Sequence, residues 1–389
     1  MKRIFIVITL TGALLTGCTQ KSANERLFEQ QFIKSLMVKV TEWQLNNPKH
    51  ELCDWTNGAF YAGVFAAWET TRSDVIYKAL LDMGEKNGWK PCNTWAMDRA
   101  NDFGICQTYV DLFRIEKQQK MIRPFVDTVN VFMSRHYHGQ VDNAEDWWNH
   151  VKDYMTPERT KKYKVIKWWW CDALFMEPPA LVKLGVTLNN PAYLAYSDAN
   201  FKDCYNLLYD QEEHLFARDL MYIITGEETD KREKNGKKIF WSRGNGWVLA
   251  GLARILNELP ADYVERPFYE KLFKEMSAKI ISIQPEDGLW RSSLLDPDSY
   301  PAGELSGSGF YCYGLAWGVN HGLLDKKTYL PAVEKAWIGL NSCVSEEGLP
   351  GWVQPIGDNP LRNFNKDSWA VYGTGAFLLA GSEVIKLKR

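Results

Sequence analysis

The segment Trp170-Cys171-Asp172-Ala173-Leu174-Phe175-Met176 places one carboxyl group at the start of a strongly apolar run. Two further tryptophans, Trp168 and Trp169, come directly before it. Because a low dielectric disfavours the charged form of a carboxyl group, indoles around Asp172 would raise its pKa, as a general acid requires. An aspartate at a helix start also has a simpler use, which is to cap the free amides of the first turn. The segment alone does not separate these two uses.

Apolar residues recur at helical spacing along most of the chain, and no convincing alternating strand pattern accompanies them. The pattern predicts about twelve helices over 25–44, 55–71, 73–87, 102–115, 118–135, 170–184, 191–209, 241–259, 266–283, 307–324, 326–340 and 367–385. Strand-like pieces such as 215–222 are short enough to form hairpins within loops. The chain is therefore predicted to be all-α.

Every second predicted helix opens in a similar way, with an aromatic or polar residue beside small residues. These openings are Trp55-Thr56-Asn57-Gly58, Asp102-Phe103-Gly104, Trp170-Cys171-Asp172, Trp241-Ser242-Arg243-Gly244, Ser306-Gly307-Ser308-Gly309 and Trp369-Ala370-Val371-Tyr372-Gly373. The intervening helices are more polar, so six pairs imply an inner ring of helices wrapped by an outer ring. Glycine at the inner starts allows close packing of backbones, and the mouth formed by these starts should hold a pocket.

The long connections 142–167, 211–240, 285–305 and 345–366 each precede an inner helix and are expected to build the walls of that pocket. No Gly/Ser-rich or Pro-rich linker divides the chain. We therefore expect one domain over 25–389.

The first residues have the pattern of a bacterial lipoprotein signal. Lys2 and Arg3 precede the apolar run 4–15, and Leu15-Thr16-Gly17-Cys18 has the form of a lipobox. This pattern predicts a signal peptide over 1–17, lipidation of Cys18 and a short tether over 18–24. The folded part would then be anchored in the cell envelope, and the absence of aspartate directly after Cys18 favours the outer membrane.

Composition excludes several other classes of protein. A net charge of −2 and a pI near 6.4 give no basic surface for nucleic acid. The seven cysteines after Cys18 contain no CxxC pair, and the six histidines show no ligand spacing, so we expect no metal and no cofactor. A disulfide between Cys53 and Cys92 remains open. The 17 Trp, 18 Tyr and 18 Phe suit either a large core or a sugar-binding surface.

Four motifs in register give the chain a family resemblance. They are the Trp170–Met176 segment quoted above, Trp241-Ser242-Arg243-Gly244-Asn245-Gly246-Trp247, Glu304-Leu305-Ser306-Gly307-Ser308-Gly309 and Gly351-Trp352-Val353-Gln354-Pro355. In this order the chain resembles the unsaturated uronyl hydrolases of glycoside hydrolase family 105 and the related family 88. The resemblance implies an (α/α)6 barrel. It also implies a substrate with a 4,5-unsaturated uronic acid at its non-reducing end, which is the product of a polysaccharide lyase.

The resemblance assigns the chemistry to two aspartates. Protonation of the substrate at C4 gives a cation at C5, water adds there, and the resulting hemiketal opens and releases the aglycone. Asp172 matches the family's catalytic acid, and Asp102 fits the second aspartate of the family. An ionised Asp102 close by would raise the pKa of Asp172 further and help to hold the water. An ordinary helix cap is the alternative use for Asp102.

Further residues are expected to bind the sugar. Arg243 is a candidate for a bidentate contact with the uronate carboxylate, and Trp241 and Trp247 match the family's sugar-contacting tryptophans. An arginine lying at a helix start beside two core indoles is the alternative. The residues expected to line the outer part of the pocket are Trp55, Asn57 and Trp352.

One departure from the family concerns the segment Leu215-Phe216-Ala217-Arg218-Asp219, where several members have histidine. Arg218 is a candidate contact for the substrate's acid group, and an Arg218–Asp219 structural ion pair is an equal alternative. The change leaves the reaction class intact but leaves the substrate open, including the choice between glucuronyl and galacturonyl sugars. Oligomeric state is not readable from the sequence.

Two other functions fit the same barrel. An inverting glycosidase would place its acid and base about 6.5–9.5 Å apart, and an epimerase would place histidines at the mouth, where the predicted inner starts have none. A lipid-anchored sugar-binding protein without activity would keep the tryptophans and Arg243 but would need no buried acid.

Overall fold

The protein's structure, a computed structural model, describes residues 23–92, 99–135 and 166–388. The described α-helices are α1 Ala23–Arg26, α2 Gln30–Asn46, α3 Thr56–Thr71, α4 Asp74–Lys86, α5 Ala100–Phe103, α6 Cys106–Glu116, α7 Arg123–Arg135, α8 Ala173–Leu188, α9 Pro191–Leu208, α10 Ser242–Glu258, α11 Arg266–Ser282, α12 Leu305–Asn320, α13 Lys326–Ser342 and α14 Val371–Val384. Short 3₁₀ turns lie at Gln119–Met121 and Pro297–Ser299, and strands β1 Tyr209–Asp210 and β2 Leu215–Phe216 pair antiparallel. The predicted loop hairpin is thus confirmed.

The inner helices form a closed ring. Helix α3 packs against α14, and α14, α12, α10 and α8 follow one another around the ring. The pair α5 and α6 completes it between α8 and α3, while α2, α4, α9, α11 and α13 pack on its outside. The inner helices α3, α12 and α14 are buried nearly all round, which is why their sequences show little amphipathicity. The predicted (α/α)6 barrel is confirmed.

Glycine sets the spacing of the inner ring in the middle of the helices as well as at the starts that the sequence analysis selected. A Cβ atom on Gly63 of α3 would lie 2.5 Å from the carbonyl oxygen of Gly375 in α14. A Cβ on Gly251 of α10 would lie 2.3 Å from the carbonyl oxygen of Leu174 in α8. No side chain fits at such distances, so these helices approach at the closeness that only glycine permits.

Helix α8 contains two consecutive prolines, Pro178 and Pro179, and a neighbouring helix compensates for the second. Pro179 has no N–H to donate to the carbonyl of Phe175 one turn earlier. The side-chain amide of Gln107, from α6, donates to that carbonyl instead at 2.8 Å. Arg254 of α10 in turn donates from Nε to Oε1 of Gln107. The carbonyl left without a donor in α8 is therefore satisfied by α6, and α10 on the other side of α8 holds the donating side chain in place.

The predicted boundaries differ from the observed ones mainly near the mouth of the barrel. The helix predicted over 102–115 is divided into α5 and α6 at Gly104 and Ile105. At this point Gly58 of α3 crosses so closely that a Cβ on it would lie 2.8 Å from the carbonyl carbon of Gly104. The helix predicted over 170–184 begins later, at Ala173, and so Asp172 occupies the position before its first turn.

The predicted signal peptide, Cys18 and most of the tether lie outside the described residues. The same is true of 142–165, which is most of one predicted wall of the pocket. Within the part of the chain that the structure describes, no helix is long and apolar enough to cross a membrane.

Candidate active site

Asp172 lies at the N-cap of α8, but it does not cap the helix. Its side chain accepts no capping hydrogen bond, and the residue is only 6% exposed. Burial raises the pKa of Asp172 above its ordinary value, which confirms the predicted direction. A carboxyl group that is buried at a helix start without serving the helix is better suited to chemistry than to stability.

Two guanidinium groups oppose the effect of burial on Asp172. Nε of Arg218 lies 3.6 Å from Oδ2 of Asp172, and the positive charge of Arg243 also acts on this carboxyl group. Both charges favour the ionised form and therefore lower the pKa that burial raises. The protonation state of Asp172 thus depends on how strongly these arginines are engaged elsewhere.

Asp102 lies in the short helix α5 and is 8% exposed. Burial raises its pKa to about 7, with Glu177 adding to the rise and Arg99 opposing it. Asp102 therefore titrates near neutrality, so the ionised form that the sequence analysis considered is present only in part at neutral pH. The charges that act most strongly on Asp172 are those of the two arginines, and they act in the opposite direction.

Arg243 is 1% exposed at the start of α10, and its guanidinium group lies between two rings. The centroids of Trp241 and Tyr372 are 4.5 and 4.6 Å from its Cζ atom. Its Nη1 donates to the carbonyl of Gln354 at 2.6 Å, and its Nη2 donates to that of Pro355 at 2.8 Å. Both terminal nitrogens that a bidentate carboxylate contact would use are thus bonded to the backbone, and this role for Arg243 remains a prediction.

Tyr372 is the residue that joins the site together, and the sequence analysis had not selected it. Its ring stacks on Trp55, with centroids 6.1 Å apart and planes at 10°, and its other contacts include Arg243 and Trp247. Its hydroxyl donates to the carbonyl of Gln354 at 2.8 Å. Its place at the opening of α14, within one of the six similar motifs, was the available signal.

A second residue without an assigned role, Glu304, ties the wall loop to the barrel. Its Oε1 accepts from the backbone amides of Ser306 and Gln354, both at 3.0 Å, and its Oε2 accepts from that of Gly307 at 2.7 Å. Glu304 therefore caps α12 and fixes the segment whose carbonyls hold Arg243. The Glu-Leu-Ser-Gly motif is explained by this double anchorage.

The remaining predicted sugar contacts differ in exposure. Trp247 and Trp241 are both buried: Trp247 packs against Phe175 and Phe310, and Trp241 donates from Nε1 to Oε1 of Gln354 at 3.3 Å. Asn57 is 6% exposed, and its amide donates to backbone carbonyls of the preceding loop at 3.0 and 3.2 Å. These three side chains form the base and supports of the site.

Trp55 and Trp352 are half-buried, as an aromatic ring that meets a sugar should be. Trp352 has a φ angle of 58°, a left-handed conformation that is costly for a large side chain. Hydrogen bonds fix it on both sides, because its amide donates to the carbonyl of Asn365 and its own carbonyl accepts from the amide of Leu305, each at 2.9 Å. Backbone strain that is held in this way is typical of binding sites.

Among the described residues, no three His, Cys, Asp or Glu side chains are grouped so that they could hold a metal ion. Cys53 and Cys92 are both free thiols, and they lie close enough for each to shift the pKa of the other. The structure therefore brings together the two cysteines for which a bridge was left open, without forming the bond.

With this geometry established, comparison with known proteins gives the family. The model of Glycosyl Hydrolase Family 88 matches residues 29–388. The chain belongs to this family and is a glycoside hydrolase.

Two hydrolases are similar to this chain in sequence over most of their length. An unsaturated 3S-rhamnoglycuronyl hydrolase of Formosa agariphila is 43% identical over 384 residues, covering 98% of this chain and 98% of the relative. A protein of the same name from Alteromonas sp. is 32% identical, covering 85% of this chain and 77% of the relative. Among solved structures, a chain described as a polysaccharide lyase is 31% identical with a TM-score of 0.77, and the match covers 92% of this chain and 97% of that one.

Proposed function

We propose that this enzyme removes a 4,5-unsaturated uronic acid from the non-reducing end of polysaccharide-lyase products by hydrating the C4=C5 double bond. The observation that carries the proposal is Asp172, a buried carboxyl group of raised pKa that does not cap its helix. The names of the two relatives support the same substrate class.

The chemistry needs one group that first gives and then takes a proton. Protonated Asp172 donates to C4, and the positive charge that develops at C5 is shared with the ring oxygen. The same carboxyl group, now anionic, accepts a proton from the water that adds at C5, so it ends the step protonated. The hemiketal that results opens and releases the aglycone. We infer that Asp102, with a pKa of about 7, assists in holding this water.

The names of the two relatives bear on which sugars occupy the first two subsites. Both are named rhamnoglycuronyl hydrolases, and identity to one of them extends over nearly the whole chain. We therefore infer a glucuronyl rather than a galacturonyl sugar in the first subsite, with rhamnose in the next.

The N-terminal sequence pattern supports a location for the enzyme in the cell envelope. Residues 1–18 have the composition of a lipoprotein signal that ends in Cys18. A lipid anchor in the cell envelope would hold the enzyme where polymer fragments arrive from outside. Labelling with a radioactive fatty acid in wild type and Cys18→Ala, followed by fractionation, tests this: equal labelling of both proteins would contradict it.

The reaction is tested through the ultraviolet absorbance of the conjugated C4=C5 uronate. Wild type and Asp172→Asn are incubated with oligosaccharides from lyases acting on polymers of glucuronic acid and rhamnose, of galacturonic acid and rhamnose, and of glucuronic acid and amino sugars. We expect the absorbance to fall with wild type on the rhamnose-linked glucuronyl product and to stay constant with the variant. A constant trace on every product, from folded wild type, would refute the proposal.

The solved relative described as a polysaccharide lyase gives a second candidate, β-elimination. That reaction creates the double bond, so the absorbance of an intact polymer would rise instead of an oligosaccharide signal falling. Running wild type on the uncut polymers in the same assay separates the two reactions by the sign of the change.

A further inference from the structure

Arg218 is held against Asp172 by the backbone of both segments. The amide of Cys171 donates to the carbonyl of Arg218 at 2.9 Å, and Trp170 forms a bridge with Asp219. This pairing sets the loop that follows β2 alongside the turn that carries the catalytic carboxyl group. The relation between the arginine and Asp172 is therefore fixed by main-chain bonds and does not depend on a flexible side chain alone.

The guanidinium group of Arg218 is only partly engaged. Its Nη1 donates to Oδ2 of the buried Asp219 at 2.7 Å. Its Nε lies 3.6 Å from Oδ2 of Asp172, beyond hydrogen-bond distance, and among the described residues it is a buried donor without an acceptor. The side chain retains 16% exposure. One edge of this cation is thus anchored, while the edge towards Asp172 still lacks a good acceptor.

The other groups around Asp172 do not compete for this role. Arg243 acts on Asp172 by its charge, but its two terminal nitrogens are bonded to backbone carbonyls. The thiol of Cys171 lies 3.6 Å from Oδ2 of Asp172, and Cys204 of α9 is a further buried thiol close to it. Both thiols have pKa values raised by burial and stay neutral. Nε of Arg243 also lacks an acceptor among the described residues, but Arg218 is the arginine whose unpaired Nε lies 3.6 Å from Oδ2 of Asp172.

We propose that Arg218 couples substrate binding to protonation of Asp172: the uronate carboxylate takes the free edge of the guanidinium group, and Asp172 loses its ionic partner and takes a proton from solvent. The inference rests on the proposed function, because it requires a substrate that carries a carboxylate beside the reacting double bond. Arg218 is a positioning residue in the free enzyme and a substrate contact in the complex.

Coupling of substrate binding to protonation of Asp172 would supply the neutral acid that the reaction needs. A general acid must be neutral when the substrate is in place, yet an arginine beside it favours the anion. The arriving carboxylate both draws on that arginine and adds a negative charge close to Asp172, and each effect favours the neutral acid. The proton comes from solvent, passes to C4, and is replaced by one from the water that adds at C5, so protons balance over one turnover.

The first test is the pH dependence of kcat/KM and of kcat for wild type, Arg218→Gln and Arg218→Lys. The alkaline limb of kcat/KM reports the free enzyme, in which Arg218 opposes protonation of Asp172. Removing an opposite charge at this distance should move that limb upward by about 1–3 pH units. The limb of kcat should move less, because in the complex the substrate already engages the arginine. Arg218→Lys keeps the charge and should leave both limbs near those of wild type.

Two further variants control for structural damage. Arg232→Gln removes an exposed arginine of the same wall loop and should change neither limb. The double variant Arg218→Gln/Asp219→Asn avoids leaving a buried carboxylate unpaired, so its limb can be measured even if Arg218→Gln folds poorly. A fall in kcat or a rise in KM with no movement of the limb, in a folded variant, would overturn the proposal and leave Arg218 as a structural partner of Asp219.

The second test uses a ligand that cannot react. Calorimetric binding of methyl glucuronide, a saturated uronate, in buffers of different ionisation enthalpy measures the protons taken up on binding. Wild type should take up a fraction of a proton near the kcat/KM limb, while Asp172→Asn and Arg218→Gln should take up little. Equal uptake by all three proteins, or no saturable binding to wild type, would overturn the proposal. This result is independent of turnover, so failure of the proposed function in the absorbance assay is distinguishable from failure of the coupling.

Discussion

The two ends of the barrel hold buried carboxyl groups whose pKa values are shifted in opposite directions. At the C-terminal ends of the inner helices, a cavity of about 660 Å³ is lined by charged side chains that include Lys183, Glu258 and Arg114. Oε2 of Glu258 lies 2.8 Å from Nη2 of Arg114, and its Oε1 lies 3.5 Å from Nζ of Lys183. Although burial opposes the change, these cations lower the pKa of Glu258 to about 2. At the N-terminal mouth, Asp172 and Asp102 are also buried, yet their pKa values are raised.

Helix dipoles do not explain this contrast. The positive ends of the inner helices point to the mouth and would favour ionised aspartates there, while the negative ends would disfavour ionised Glu258. The observed directions are the reverse. A dipole contributes about 0.3–1 kcal/mol at a surface, less than burial or a close ion pair in the interior. The balance between cations and burial decides: at Glu258 the nearby cations outweigh burial, whereas at Asp172 and Asp102 burial outweighs the nearby arginines.

The largest expected effect is on turnover, and it should be confined to the mouth. Asp172→Asn removes the proton donor and should lower kcat by about 10²–10⁴-fold, while Glu258→Gln should keep kcat within a few-fold of wild type. Initial rates in the absorbance assay, normalised to folded protein, give both numbers. Similar losses in the two variants would mean that the ends of the barrel are not functionally distinct.

The next effect is on stability, and it should be confined to the other end. Glu258→Gln leaves Lys183 and Arg114 without one of their anions in a buried network. Breaking such a pair costs about 3–5 kcal/mol in the free energy of unfolding. Urea unfolding of wild type and variant at neutral pH measures the difference. A cost below about 1 kcal/mol would show that the network behaves like surface ion pairs.

A smaller effect of opposite sign is expected for Asp102. Its folded pKa of about 7 exceeds the ordinary value of 3.8, so ionisation is disfavoured in the folded state. Asp102→Asn should therefore raise the free energy of unfolding above pH 7 by about 2–4 kcal/mol while lowering activity. The same unfolding experiment at pH 8 checks this. A destabilised variant would mean that the Asp102 carboxylate is needed by the fold.

The smallest effect is the pH profile of wild-type stability, in which the two ends act in separate windows. Glu258 has a lowered pKa, so its contribution is present above its ordinary value of 4.5 and is lost as the pH falls towards 2. Asp102 has a raised pKa, so its contribution is favourable at low pH and is lost as the pH rises from 3.8 to 7. Unfolding midpoints are measured across pH 3–8 for wild type, Glu258→Gln and Asp102→Asn. Wild type should show both slopes, Glu258→Gln should lack the acid slope, and Asp102→Asn should lack the slope towards neutral pH. A variant that keeps the slope assigned to it would contradict that assignment.

The sequence predicted the architecture closely because the barrel depends on local and repeated signals. Helical periodicity gave the inner and outer series, and small residues at the inner starts indicated that the backbones pack closely, as the approaches of Gly58 to Gly104 and of Gly246 to Gly307 confirm. The same periodicity overlooked the break at Gly104, because the apolar spacing continues through the point where Gly58 of α3 lies against it. Helix boundaries near the mouth were therefore less accurate than those elsewhere.

The candidate site was predicted in part. Asp172 could be selected because an acidic residue in an apolar, tryptophan-rich start is unusual in itself. Tyr372 and Glu304 were not selected, since their roles come from contacts with residues far along the chain, at Gln354 and Arg243. The bidentate role predicted for Arg243 came from its side-chain chemistry, and only the structure shows its terminal nitrogens bonded to backbone carbonyls.

By itself, the sequence determined which helices form, which of them are inner, and which end of the barrel carries the polar and aromatic starts, because periodicity and small residues act locally. The tertiary structure alone decided which charges meet which carboxyl groups. Arg218 stands beside Asp172, and Arg114 with Lys183 beside Glu258, through contacts that span tens of residues or more. Electrostatic interactions depend on distance and burial in three dimensions, and sequence spacing does not report either.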